Sequence, residues 1–220
     1  MNLTPVKVPK VIKKLFSNFI WSIDTDEKTL YLTFDDGPTS EITEWVLDCL
    51  KTYNAKATFF CIGKNIKNHP NIFKLIIDDG HAIGNHTSNH IKGWKTSVKK
   101  YFEEVTEAQG TIDCQKLKSA INKSQYRKLF RPPYGRIKPK QAKLLLVEGY
   151  QIVMWSVLSL DWDKNVSPIQ CSDNVINNSK PGSIIVFHDS KKASKNMMYA
   201  LPKVLNYFSK KGYSFKRIPE

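Results

Sequence analysis

Apolar residues follow two rhythms along the chain, and the switching between them predicts its elements. The run TLYLTF (29–34) is rich in β-branched and aromatic residues, the mark of a strand. After a turn, Thr39 or Ser40 is placed to cap a helix whose Ile42, Trp45, Val46, Cys49 and Leu50 share one face. The same alternation then repeats. ATFFCIG (57–63) predicts a second strand, and a helix opened by Pro70 and stopped by Gly80 carries Ile72, Phe73, Ile76 and Ile77. HAIG (81–84) predicts a brief third strand, followed by a helix near 96–113 and a polar, lysine-rich connection. KLFR (128–131) is the fourth strand, and a helix follows over 138–148 with Gly149 as its stop. QIVMWSV (151–157) predicts the fifth strand, a helix spans 168–179, and the β-branched run SIIVF (183–187) reads as a buried sixth strand. A helix near 196–210 and the strand YSFKRI (213–218) complete the pattern.

Seven strands alternating with helices imply an α/β fold with a parallel sheet and right-handed crossovers. An open doubly wound sheet and a closed barrel both satisfy the pattern. Ahead of the alternation, Val11, Ile12, Leu15, Phe16, Phe19 and Ile20 recur at helical spacing beside Lys10, Lys13 and Lys14. Residues 1–28 are therefore read as an N-terminal segment with a short helix laid against a domain formed by 29–220, with contact to a membrane surface as the second reading.

A chain of 220 residues can bury a substantial core without disulfide or metal staples. Its 34 Lys plus Arg against 20 Asp plus Glu give a net charge of +14, spread along the chain rather than gathered in a block. Scattered lysines read as a solvated surface able to approach an anionic polymer; with no nucleic-acid motif beside them, a specific nucleic-acid partner is not expected. Cys49, Cys61, Cys114 and Cys171 form no C-x-x-C pair and read as reduced thiols. No secretory leader and no run of membrane-spanning length stands in the sequence, which by itself points to a cytoplasmic monomer.

The chemistry gathers after the strands. Asp35 and Asp36 follow the first, His86 and His90 the third, Arg131 with PPYG the fourth, LSLDWD the fifth, and His188 with Asp189 the sixth. In parallel α/β folds the carboxyl ends of the strands share one face, where active-site groups converge. Each cluster alone has an ordinary explanation, since Asp, Gly and Pro are turn residues and a lone His after a strand is commonplace. Together they suggest a site. Two imidazoles and one carboxylate form a three-ligand set that leaves coordination open, the pattern of a catalytic divalent ion. His86 and His90 with an aspartate after the first strand supply that set. The neighbouring aspartate is then free to act as a general base, His188 to protonate a leaving group, and Arg131 to keep the base ionised.

The motifs TFDDGP, HTSNH, RPPYG, SLDW and IIVFHD, in this order, resemble the polysaccharide deacetylases of the NodB-homology type (carbohydrate esterase family 4) over about residues 29–218. The resemblance implies an irregular (β/α)7 barrel. It also implies one divalent cation, zinc first and cobalt, nickel or manganese as alternatives, held by Asp36, His86 and His90. By the same resemblance Asp35 is the base, His188 the acid, Arg131 the group orienting Asp35, and Asp161 the carboxylate tuning His188. The Tyr134 N–H would serve as an oxyanion donor, with Trp162 and Val186 as walls around the acetyl methyl. The implied reaction is hydrolysis of N-acetyl groups on N-acetylglucosamine polymers such as chitin or peptidoglycan. An O-acetyl esterase acting on xylan-like glycans is the alternative, and a non-catalytic binder of acidic polymers a further one, although a binder needs neither Asp35 nor His188. Leu158 departs from the family, which often has a polar residue there. Such glycans lie outside the cytoplasm, so the resemblance favours an extracytoplasmic location.

Overall fold

The buried run after residue 28 forms the central strand of a parallel sheet, flanked by shorter strands whose order decides the shape of the whole. The computed structural model describes residues 5–118 and 127–219. In chain order the first elements are α1 (Lys10–Leu15), β1 (Thr29–Asp35), α2 (Ile42–Thr52), β2 (Ala57–Cys61), α3 (Gly63–Asn68), α4 (Pro70–Asp78) and β3 (Ala82–Asn85). There follow α5 (Val98–Lys118), β4 (Lys128–Phe130), α6 (Pro139–Val147), β5 (Tyr150–Ile152), β6 (Val157–Leu158) and α7 (Pro168–Ile176). The last are β7 (Ile184–His188), α8 (Ser194–Lys210) and β8 (Ser214–Phe215).

The strands run in the order β5-β4-β3-β2-β1-β7-β6, with β8 added to the start of β1. Every strand pairing is parallel. β5 and β6 occupy opposite ends of this order, yet only residues 153–156 separate them in the chain. That link can span at most about 18 Å. Seven strands laid flat would hold the two ends roughly 29 Å apart. The sheet must therefore curl until its edges meet, and the choice left open by the hydrophobic pattern falls to a closed barrel, the irregular (β/α)7 fold.

The N-terminal segment lies along the seam. Ile20 N donates to Ile152 O (2.8 Å), Met154 N to Ile20 O (2.7 Å), Leu158 N to Val6 O (2.9 Å) and Ile23 N to Gly182 O (2.9 Å). Edge groups of β5 and β6 thus find backbone partners, which leaves less of the edge open to pair with another chain. Phe19 and Trp21 add apolar cover against Phe130, Tyr150 and Ile152.

Alternation along β1 sorts its side chains between two cores. Leu30, Leu32 and Phe34 face the helical layer, where Phe34 stacks between Phe59 (5.0 Å) and Phe187 (6.1 Å). Tyr31 belongs instead to the barrel interior with Phe60, Leu129, Val153, Ile184 and Ile218. By the same period Thr33 and Asp35 point inward, which carries the chemistry to the barrel's mouth.

Three elements differ from the sequence-based expectation. The single strand expected at 151–157 is divided into β5 and β6, because the chain crosses the seam there. Helix α3 was not legible, since GKNIKN has one apolar residue and no period to show. The final strand is two residues long rather than six. The lysine-rich connection expected before β4 falls largely at 119–126, outside the described residues.

Candidate active site

Asp35 ends β1 almost completely buried, and burying a carboxylate requires a partner. Arg131, fully buried after β4, provides it: Nη1 donates to Asp35 Oδ1 at 2.7 Å and to Thr33 Oγ1 at 2.7 Å. Its Nε donates to Val153 O (3.1 Å) and Nη2 to Met154 O (2.8 Å), and its plane lies 4.1 Å from the centre of the Phe60 ring. The guanidinium therefore ties β4 to β1 and to the seam. A buried ion pair of this kind is sustained when its remaining donors are also satisfied, and here four of the five guanidinium N–H groups have acceptors.

Asp36 follows in a left-handed conformation (φ 81°). Of the seven non-glycine residues with positive φ among the described residues, Asp36, Thr87, His90, Tyr134 and Leu160 all belong to the loops around this mouth, so local backbone strain is concentrated at the site. The next residue must be glycine: a Cβ on Gly37 would lie 1.9 Å from Asp189 Oδ2.

His86 and His90 sit on the loop after β3, not on a helix. The reversals at Thr87 and His90 bring their rings to 5.1 Å. His86 Nδ1 faces the Arg131 carbonyl at 2.7 Å; a carbonyl only accepts, so Nδ1 carries the proton and Nε2 presents its lone pair inward. His86 Nε2 lies 3.7 Å and His90 Nε2 3.3 Å from Asp36 Oδ1. All three donor atoms fall within 4.8 Å of one another.

Burial holds both imidazoles below their ordinary pKa, His90 at about 4, and the adjacent His86 adds to the effect there. For Asp36 burial pulls upward, but His188, His86 and His90 outweigh it and the carboxyl stays below its usual range. Neutral imidazoles and an ionised carboxylate are the forms that ligate a cation. Asp36 Oδ1 is buried without a hydrogen-bond partner. Converging lone pairs with an orphaned carboxylate oxygen fit a divalent ion with N/O preference, and the three-ligand set leaves further positions open.

Across the mouth, His188 Nδ1 donates to Asp161 Oδ1 at 2.8 Å, while the His188 backbone N–H donates to Asp161 Oδ2 at 2.7 Å. Burial works against a proton on this ring, but Asp161, aided by Asp36 and Asp35, prevails and raises its pKa to about 9. The edge of Trp162 packs on the ring at 4.7 Å. Three histidines in one cleft are thus divided, two neutral beside Asp36 and one cationic beside Asp161.

The cleft has a volume of about 560 Å³. Asp35, Asp36, His86, His90 and His188 line it, together with Tyr134, Trp162 and Val186, so eight of the ten residues singled out from the sequence converge. Arg131 and Asp161 stand behind Asp35 and His188. Leu158, the departure from the family pattern, also lines the wall.

Other participants escaped sequence reasoning. Trp94 and Trp155 line the cleft, and Trp94 meets Tyr134 edge-on at 5.4 Å. Fully buried Asp189 accepts from Gly37 N (3.0 Å) and Thr43 Oγ1 (2.6 Å), so it shapes the loop carrying Asp36; burial, with Asp36 nearby, raises its pKa to about 7. Asn65 Nδ2 donates to Asp36 O at 2.7 Å, and Glu104 accepts from Asn89 N at 3.0 Å, bracing the histidine loop. Only Asp189 carried a signal, an acid directly after a buried strand.

Comparison with known proteins bears on the family and the fold. The family model described as polysaccharide deacetylase matches residues 22–153. A peptidoglycan-N-acetylglucosamine deacetylase of Bacillus cereus is 38% identical over 189 residues, covering 86% of this chain and 66% of that protein. A second one from the same organism is 34% identical over 202 residues, covering 91% of each. The crystal structure of the Bc1960 peptidoglycan N-acetylglucosamine deacetylase superposes with a TM-score of 0.85 at 34% identity, covering 96% of this chain and 95% of that one. The barrel, the motifs in their order and these likenesses lead to one conclusion: the chain belongs to the polysaccharide deacetylase family, carbohydrate esterase family 4 with the NodB-homology domain.

Proposed function

We propose that this protein is a metal-dependent hydrolase that removes N-acetyl groups from N-acetylglucosamine-containing glycans, with peptidoglycan as the first substrate to test and chitin oligomers as the second. The observation that carries the reading is the placing of two groups across one cleft: Asp36, His86 and His90 converge with donor atoms within 4.8 Å of one another, and His188, held by Asp161, faces the same space. Amide hydrolysis needs both, because the departing amine must receive a proton while the attacking water loses one.

Asp36, His86 and His90 would hold the ion, zinc before cobalt, nickel or manganese. When bound, it supplies a Lewis acid that polarises the acetyl carbonyl and lowers the pKa of water. Asp35 is the base. Its Oδ1 is occupied by Arg131, which leaves the other oxygen to take the proton from water and keeps the carboxylate oriented. The Tyr134 N–H, on a left-handed turn at the rim, donates to the oxyanion. His188 Nε2 delivers its proton to the amine as the carbon–nitrogen bond breaks, and Asp161 retains the ring's orientation through Nδ1. Trp162, Val186 and Leu158 give the acetyl methyl an apolar wall. This substrate puts the working location outside the cytoplasm.

Acetate release from N-acetylglucosamine oligomers and from purified peptidoglycan tests the proposal. Activity is expected to vanish with a strong chelator, return with zinc or cobalt, and fall by orders of magnitude in Asp35→Asn. Full turnover in Asp35→Asn would overturn the mechanism, and faster cleavage of acetylated xylan would make the enzyme an O-acetyl esterase.

A further inference from the structure

Helix α1 has an outward face that the barrel leaves bare. Val11 is 75% and Leu15 74% exposed, with Ile12 at 41%, so one six-residue helix holds three of the nine large hydrophobic side chains exposed among the described residues. Scattered single apolar residues on a surface are ordinary, whereas a concentration of them marks a contact. Val11 and Leu15, four apart, stand one above the other. Phe16 turns the other way and packs with Phe19 on the cluster beneath. At helical spacing Lys10 and Lys14 form the strip next to the Val11–Leu15 stripe, with Lys13 beyond it.

The charge around this stripe is of one sign. Residues 1–23 contain Lys7, Lys10, Lys13 and Lys14 and no acidic residue. Lys180, brought from a distant part of the chain, joins them: with burial first, Lys180 and Lys7 hold the Lys13 ammonium below its ordinary pKa. An apolar stripe set in a basic collar is matched by few partners. A soluble anionic polymer would engage the lysines and leave Val11 and Leu15 in water. A second copy of the chain would bring an identical collar and be repelled. A bilayer with anionic headgroups satisfies both features, because the stripe can enter the acyl boundary while the lysines stay at headgroup level.

We propose that α1 seats the protein on the anionic surface of a lipid bilayer, with Val11 and Leu15 entering the interface and Lys7, Lys10, Lys13, Lys14 and Lys180 meeting the lipid charge. Helix α1 rests on the surface rather than crossing it; among the described residues no helix is long and apolar enough to span a membrane. Lys180 precedes β7 on the rim of the strands' amino ends. This docking is independent of which acetylated glycan is cleaved.

The test is cosedimentation of the full chain with vesicles of equal parts phosphatidylglycerol and phosphatidylcholine, beside vesicles of phosphatidylcholine alone. Binding is expected to the anionic vesicles, weakening as salt is raised. The double variant Val11→Ser/Leu15→Ser is expected to bind about tenfold more weakly or worse. Lys10→Gln/Lys13→Gln/Lys14→Gln should lose most of the salt-sensitive part. Far-UV circular dichroism and the melting temperature of each variant should match the parent, since the substituted side chains lie outside the core. Three results would each overturn the proposal: no binding to anionic vesicles, serine-variant binding as tight as the parent's, or a dimer in sedimentation that the serine variant abolishes. Vesicle binding by a protein that releases no acetate from any glycan would leave the docking intact and refute the catalytic reading instead.

Discussion

Replacing Asp161 with Asn preserves the side chain's shape and removes the charge that keeps a proton on His188. With its pKa at about 9, His188 is about 97% protonated at pH 7.5. Without Asp161 the effect of burial takes over and the ring falls to its ordinary value near 6.5 or lower, where at most about 9% is protonated at that pH. The acid form therefore drops roughly tenfold or more, and the imidazolium loses on the order of 3 kcal/mol of stabilisation. The amide adds a mismatch, because Asp161 accepts both the Nδ1 and the backbone N–H of His188 and an asparagine offers only one oxygen. The direct measurement is an NMR titration of His188 in metal-free wild type and Asp161→Asn, followed by the pH dependence of acetate release. The alkaline limb of kcat is expected to move to lower pH in the variant, with partial rescue on acidification. An ion at Asp36 acts on both proteins alike, so the difference between them is the readout. If His188 in the variant still titrates near 9, or the alkaline limb stays in place, the assignment of Asp161 as its charge partner is wrong.

Arg131→Met strands the buried Asp35 charge and two backbone carbonyls, and should cost about 3–5 kcal/mol in urea unfolding; an unchanged midpoint would contradict the pairing. Because burial holds His90 at about 4, calorimetric zinc affinity should hardly change between about pH 7 and about pH 5.5 on account of this residue, whereas His90→Ala should weaken binding at both. Acid stability is tested at buried His81, whose Nδ1 accepts from Ala57 N at 3.1 Å and whose pKa is lowered to about 4 by burial, then by Lys56 and Arg217. The unfolded chain takes up this proton first, so the stabilisation is complete above about pH 6.5 and is lost as pH falls toward 4, a change on the order of 3 kcal/mol. The difference in unfolding free energy between wild type and His81→Asn should narrow across that window; a constant difference would refute the linkage.

Hydrophobic period and residue type are local properties, and they carried a large share of this protein. The buried runs of β1 and β7, the opening of α4 at Pro70 and its stop at Gly80, and the polar clusters after the strands all follow from neighbours in the chain, whereas α2 is capped at Glu41 and not at Thr39 or Ser40. So does the chemical character of the site, since two histidines, paired aspartates, an arginine and a distant histidine can be named from their types and their places at strand ends. The motifs in order then identified the family, which no single cluster could do.

Tertiary structure decided what depends on groups far apart in sequence. The run 151–157 looks like one strand, and only closure of the sheet divides it between β5 and β6, because hydrogen-bond partners for its two ends come from opposite edges of the barrel. The histidine loop owes its shape to Thr87 and His90 in left-handed conformations, braced by Glu104 from α5. Most of all, His86, His90 and His188 are the same residue on paper. Burial makes the first two neutral, and the carboxylate of Asp161 makes the third a cation, and neither low dielectric nor an opposing charge exists until the fold has removed water and brought the partners together.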